Sequence, residues 1–165
     1  MGTLEYIPAT AKVLRMLSEE PRQFAEEHGV LLHQVSQSVA EHSRQFLKSF
    51  AYETRPRFLG YLVVDGDTQE HVGVCSFKGP PVEGTIEIAF YTFPGHEGRG
   101  IATAMARFLV DRAREMDSAT RVMARTVAEP GPATRVLEKA GLEIVREVEE
   151  EGIEMGVWEI ELKQA

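Results

Sequence analysis

The residues with the clearest chemical purpose lie between Pro94 and Met105, in the stretch PGHEGRGIATAM. Three glycines and an arginine stand where an apolar helical pattern begins, and glycine inside a helix costs about 0.5–1 kcal/mol relative to alanine. Bare backbone must therefore be useful there. A helix N-terminus holds unpaired N–H groups and roughly half a positive charge, and it attracts phosphate when no side chain blocks the approach. Gly98 and Gly100 remove the side chains, and their permissive φ angles can turn successive N–H groups inward. Arg99 adds a cation. A ligand-free strand-to-helix turn fits the same residues, and the phosphate fingerprints G-x-x-x-x-G-K-S/T and G-x-G-x-x-G are both absent.

The other reactive side chains say less. Cys75 is the single cysteine, which excludes an internal disulfide and a multi-cysteine metal site. It lies in a strand pattern with no activating histidine nearby in sequence, so a buried structural thiol is expected rather than an acyl-cysteine. His28, His33, His42, His71 and His96 show no metal-ligand spacing, and no metal is expected. The net charge of −8 argues against non-specific nucleic-acid binding and suits a cationic substrate such as an amine, although acidity also serves solubility. No apolar run approaches the roughly 20 residues of a membrane span, and the first residues lack a basic segment followed by an apolar one. A cytoplasmic protein with no membrane partner is expected.

The elements that must position the glycine stretch follow from hydrophobic period. Thr3 to Ile7 reads as a strand, and Ala11 to His28 and Gln34 to Ala51 read as helices. Phe58 to Val64 and Glu70 to Phe77 read as strands around the turn residues Asp65–Asp67. Thr85 to Phe93 is a strand with Ile86, Ile88 and Phe90 on one face, and a helix follows from Ile101 to about Met116. Arg121 to Val127 reads as a strand, Pro132 to Ala140 as a helix stopped by Gly141, and Leu142 to Glu149 with Ile153 to Leu162 as a closing hairpin. The predicted order is β-αα-βββ-α-β-α-ββ, a single α/β domain with a mixed sheet.

IEIAFYTFPGHEGRGIATAMARFL, with RVLEKAGLEIV some thirty positions later, resembles the GNAT superfamily of acyl-CoA-dependent N-acetyltransferases, in its ribosomal-protein N-terminal subgroup. The family's loop pattern, Q/R-x-x-G-x-G/A, falls on Glu97-Gly98-Arg99-Gly100-Ile101-Ala102, with Glu97 in place of Gln or Arg. The motif-bearing core is residues 58–142, and residues 1–57 would shape the acceptor pocket. The resemblance implies acetyl-CoA as acyl donor, its pyrophosphate on the loop of Glu97, Gly98, Arg99, Gly100, Ile101, Ala102 and Thr103. It implies strand backbone at Tyr91, Thr92 and Phe93 beside the pantetheine arm. It also implies transfer to a small amine or a peptide N-terminus, with homodimers common.

An amine attacks a thioester only when neutral, so a general base helps. Glu87 stands where a number of relatives carry a base glutamate, and a solvated or ion-paired glutamate is the alternative reading. Tyr91 can serve as a catalytic acid, line the acceptor site, or simply pack. Leu137 occupies the position where several relatives have a tyrosine that protonates the thiolate. An acyl-CoA-binding sensor without turnover is therefore the competing function.

Overall fold

The computed structural model describes residues 2–162. Seven strands run in the hydrogen-bonded order β1-β2-β3-β4-β5-β7-β6, a mixed sheet of an α/β fold. The strands are β1 (Leu4–Pro8), β2 (Gly60–Asp65), β3 (His71–Phe77), β4 (Thr85–Thr92), β5 (Arg121–Val127), β6 (Glu143–Glu150) and β7 (Ile153–Glu161). Five α-helices accompany them: α1 (Ala11–Glu19), α2 (Pro21–His28), α3 (Ser36–Lys48), α4 (Ile101–Arg114) and α5 (Pro132–Lys139). The chain packs into two compact units, one of Met1–Cys75 with Tyr91–Arg99, the other of Ser76–Phe90 with Gly100–Ala165.

One element departs from expectation. The single helix predicted over Ala11 to His28 is two, α1 and α2, so the order begins β-ααα rather than β-αα. Pro21 is the cause. It has no N–H to donate and pushes its predecessor out of the helical region, and Glu20 sits at φ −134°, ψ 60°. Pro21 then opens α2 at the position where a missing N–H costs nothing.

In the first unit, α1 is held by Thr10, whose hydroxyl accepts the Val13 N–H at 3.2 Å. Its apolar stripe, Leu14 and Leu17, is buried with Phe24, Ala40, Leu47 and Leu62 in one cluster. Antiparallel pairing of β1 with β2 runs from Leu4↔Asp65 to Pro8↔Tyr61. In the second unit, Ile101, Met105 and Leu109 form the buried face of α4, each at most 1% exposed. β4 and β5 pair in parallel, and β7 pairs antiparallel with both β5 and β6. The β6–β7 turn places Glu151 at φ 51° and Gly152 at φ 81°, the two positive values that a type I′ hairpin turn requires.

Candidate active site

Phe93 anchors the entry to the glycine loop. Its side chain is fully buried, its N–H donates to the Val72 carbonyl at 2.8 Å, and its own carbonyl accepts the His96 N–H at 3.1 Å. The rings of His71 and His33 lie 4.6 and 5.1 Å from it, centroid to centroid. His33 Nε2 donates to the Pro94 carbonyl at 2.9 Å while its Nδ1 accepts the Val35 N–H. His71 is 1% exposed, and burial pushes it down to about 4, so it is neutral at physiological pH. Its Nδ1 meets the Ser36 hydroxyl at 2.8 Å.

Beyond Phe93 the backbone is left-handed at Gly95, Gly98 and Gly100, with φ of 92°, 75° and 80°. No protein atom lies within 4 Å of where a Cβ would stand at any of the three. These glycines answer a backbone conformation and an open approach, not crowding by the protein. Gly100 caps α4 without a side-chain hydrogen bond, and the first turn of α4 carries no acid. The side chains of the loop turn back on the protein. Glu97 accepts the Gly95 N–H at 2.7 Å, and its bonds to its own backbone N–H and that of Gly95 hold its carboxyl below the usual range. Arg99 donates to Asp65 at 2.9 Å and meets His96 Nδ1 at 2.8 Å. Its charge thus goes to the end of β2 rather than outward.

The second unit holds a cleft of about 270 Å³. The parallel pairing stops at Glu87↔Met123, although β4 continues to Thr92 and β5 to Val127. Ile88–Phe90 of β4, Ala124–Thr126 of β5 and Leu137 of α5 line the opening, with Glu87, Lys78 and Glu150 among its charged groups. Leu137 is 1% exposed and offers no proton. Glu87 projects opposite buried Ile86 and Ile88, as its strand position requires. Both its oxygens are engaged: Arg125 Nε reaches Oε2 at 3.1 Å and Arg125 Nη2 reaches Oε1 at 3.2 Å. Lys78 Nζ stands 3.7 Å from Oε2, and Arg125 also donates to Glu150. The bond to Glu87 raises the already high pKa of Arg125.

Tyr91 is half exposed on β4, its ring 5.7 Å from that of Phe93. The Thr92 hydroxyl is buried with no hydrogen-bond partner among the described residues. Cys75 is 1% exposed, and burial pushes its thiol up, which leaves no thiolate for covalent transfer. Among the described residues no helix is long and apolar enough to cross a membrane, and no group of three metal-ligating side chains occurs. Sequence reasoning missed Asp65 and Arg125. The Asp65–Asp67 stretch carried a signal for the first, since the Asp65 carboxylate accepts the Asp67 N–H at 2.9 Å.

A mixed sheet whose central parallel pair opens is joined, at the end of one strand, to a helix through a left-handed glycine run. The chain belongs to the acetyltransferase (GNAT) domain family, whose model matches residues 11–143. It is 33% identical over 85 residues to an uncharacterized N-acetyltransferase of Bacillus subtilis (strain 168), YjdG, covering 51% of each chain. The chain thus spans about half the length of the curated relative it matches. The fold matches yncA of Salmonella typhimurium, a putative acetyltransferase solved with its cofactor acetyl-CoA, at a TM-score of 0.61 and 15% identity over 98% of this chain and 95% of that one. It also matches RimL, the ribosomal L7/L12 alpha-N-protein acetyltransferase in complex with coenzyme A, at 0.66 and 14% identity over 98% and 96%.

Proposed function

We propose that the chain transfers the acetyl group of acetyl-CoA to a primary amine, either a small amine or a peptide N-terminus, by direct attack in a ternary complex. The observation that carries this reading is the run of three left-handed glycines into an uncapped helix, with open space where each Cβ would be. Such a loop suits a diphosphate held by the backbone N–H groups of Gly98 to Thr103. Glu97 and Arg99 contribute to its shape, since their side chains are spent on Gly95 and Asp65. The Phe93 N–H is already given to Val72, so the strand backbone available to pantetheine lies at Tyr91 and Thr92.

In the transfer, the amine lone pair forms the C–N bond at the thioester carbonyl, whose oxygen takes the negative charge. A strand N–H near Tyr91 or Thr92 meets that oxyanion, the interaction that contributes most to acyl transfer. Collapse breaks the C–S bond and releases the thiolate. The half-exposed phenol of Tyr91 is the proton source we assign to it, because Leu137 has none to give. The proton of the attacking amine goes to solvent, with Glu87 serving as the anchor of Arg125 rather than as the base.

One observation favours the second reading, a CoA-binding module without turnover: the carboxylate expected to act as base is spent on a guanidinium, and Leu137 carries no acid. Release of free thiol from acetyl-CoA, followed across a panel of polyamines, amino acids and N-terminal peptides, separates the two. Amine-dependent release supports the transferase. CoA binding without release from any amine supports the module, and no binding at all sinks both.

A further inference from the structure

The first unit carries a second cavity, of about 250 Å³, that no step of the proposed transfer uses. Five of its lining residues are cationic, Lys12 and Arg15 of α1, Arg44 and Lys48 of α3, and Arg55, and the other two are Ala11 and Leu47. No carboxylate lines it, in a chain with 26 acidic and 18 basic residues.

Two of these cations are held in place. Arg55 donates to the carbonyls of Lys48 and Phe50 at 3.0 and 2.9 Å. Arg44 is braced by the Ser18 hydroxyl at 3.4 Å and by Glu19 at 3.3 Å. Lys12 and Arg15 make no ion pair among the described residues, and both are exposed. The location of Lys12 is also unfavourable by itself. The first turn of α1 carries no acid, and Lys12 stands there against the positive end of the helix dipole. Like charges gathered around one opening repel each other as well. Both costs turn into gains when an anion enters.

We propose that this cavity is a binding site for a small phosphate-bearing molecule with two or more negative charges. Guanidinium forks match phosphoryl oxygens in pairs, lysines serve them as point charges, and the cavity supplies both kinds. Its volume lies below the usual range of about 300–1,000 Å³ for drug-sized ligands, which points to a compact ligand. Lysine and arginine carry apolar stems that, with Ala11 and Leu47, give such a cavity apolar wall beside its charges.

The test is calorimetric titration of inorganic tripolyphosphate into the full chain with CoA in excess, so that anion binding at the glycine loop does not contribute. The wild type should bind at one site, and Lys12→Glu/Arg15→Glu should weaken that binding roughly tenfold or more. Lys12→Gln/Arg15→Gln should weaken it less, and it keeps the test valid if the charge reversal fails to fold. Arg22→Glu/Arg57→Glu changes the net charge equally at exposed positions outside the cavity and should bind as the wild type does. Absence of binding to the wild type overturns the proposal. So does binding unaffected by either Lys12/Arg15 pair, or an equal loss in the Arg22/Arg57 control.

Discussion

Arg99, in the middle of the glycine loop, donates to Asp65 at the end of β2 across 2.9 Å, and the two are unequally buried: the side chain of Arg99 is 36% exposed, that of Asp65 2%. Asp65 also receives the N–H of Asp67, and these bonds, that of Asp67 foremost, hold its carboxyl below its usual value. The inequality predicts an asymmetry between mutants. Arg99→Ala strands a buried carboxylate, whereas Asp65→Asn keeps an acceptor for Asp67 and frees an arginine that can turn to water. Arg99→Ala should lower Tm more than Asp65→Asn. Both should raise the KM for acetyl-CoA, by roughly tenfold, with kcat less affected, because the pair sets the loop's shape. Equal KM in both variants and the wild type would separate the pair from the loop's function.

Gly100 tests the loop itself. Valine there would combine a β-branched side chain with φ of 80°, a conformation such residues scarcely adopt, so folding and binding would be confounded. Asparagine tolerates left-handed backbone and projects its side chain into the open approach. Gly100→Asn should melt within a few degrees of the wild type and bind CoA at least about tenfold more weakly. Calorimetry showing unchanged affinity in the folded variant would place the diphosphate elsewhere.

Glu87 separates two accounts of proton removal. A general base contributes about 10²–10⁴-fold, and a mutant lacking one recovers as rising pH deprotonates the amine without help. The bidentate contact with Arg125 predicts otherwise. Glu87→Gln should lose less than about tenfold in kcat, with a pH profile parallel to that of the wild type, together with a lower Tm as Arg125 loses its partner. A loss of two orders of magnitude that fades above pH 9 would restore Glu87 as the base.

His71 makes stability depend on pH. It stays neutral in the fold down to about pH 4, whereas an unfolded histidine takes up a proton near 6.5. The unfolded state therefore binds more protons between those values, and the contribution present above pH 6.5 is lost as the pH falls toward 4. The slope is at most about 1.4 kcal/mol per pH unit for one proton. Denaturant melts from pH 7.5 to 4.5 should show this decline, and His71→Gln should flatten it while lowering stability at neutral pH. An identical slope in the variant would assign the decline to other groups.

The glycine loop was legible in the sequence because its whole signal is local: strand alternation through Ile86 and Ile88, then glycines, then the helical spacing of Ile101, Met105 and Leu109. The pairings that decide what the charged residues do were not. Glu87 and Arg125 meet because the register sets Glu87 opposite Met123 and the pleat returns Arg125 to the same face two residues on, a fact about two strands 38 positions apart. Arg99 was read as a free cation because nothing local distinguishes a guanidinium pointing outward from one bound to Asp65. The break at Pro21 was hidden by an apolar pattern, Leu14, Leu17 and Phe24, that continues across it. There the rigid ring outweighed the period.

The division of the chain into units bears on how the protein is made. The first unit is not one continuous stretch, since Tyr91–Arg99 joins it only after Ser76–Phe90 has been used in the second. A nascent chain that has emerged as far as Cys75 lacks Phe93, whose N–H satisfies Val72 and whose ring faces His33 and His71. Neither unit can be completed on the ribosome before Arg99 appears, and no single cut separates the two, because any fragment that holds one unit whole also carries a piece of the other. Splitting the polypeptide into two fragments at Cys75 should give pieces that are soluble only when co-expressed, and genetic dissection of this protein will have to respect its interleaving.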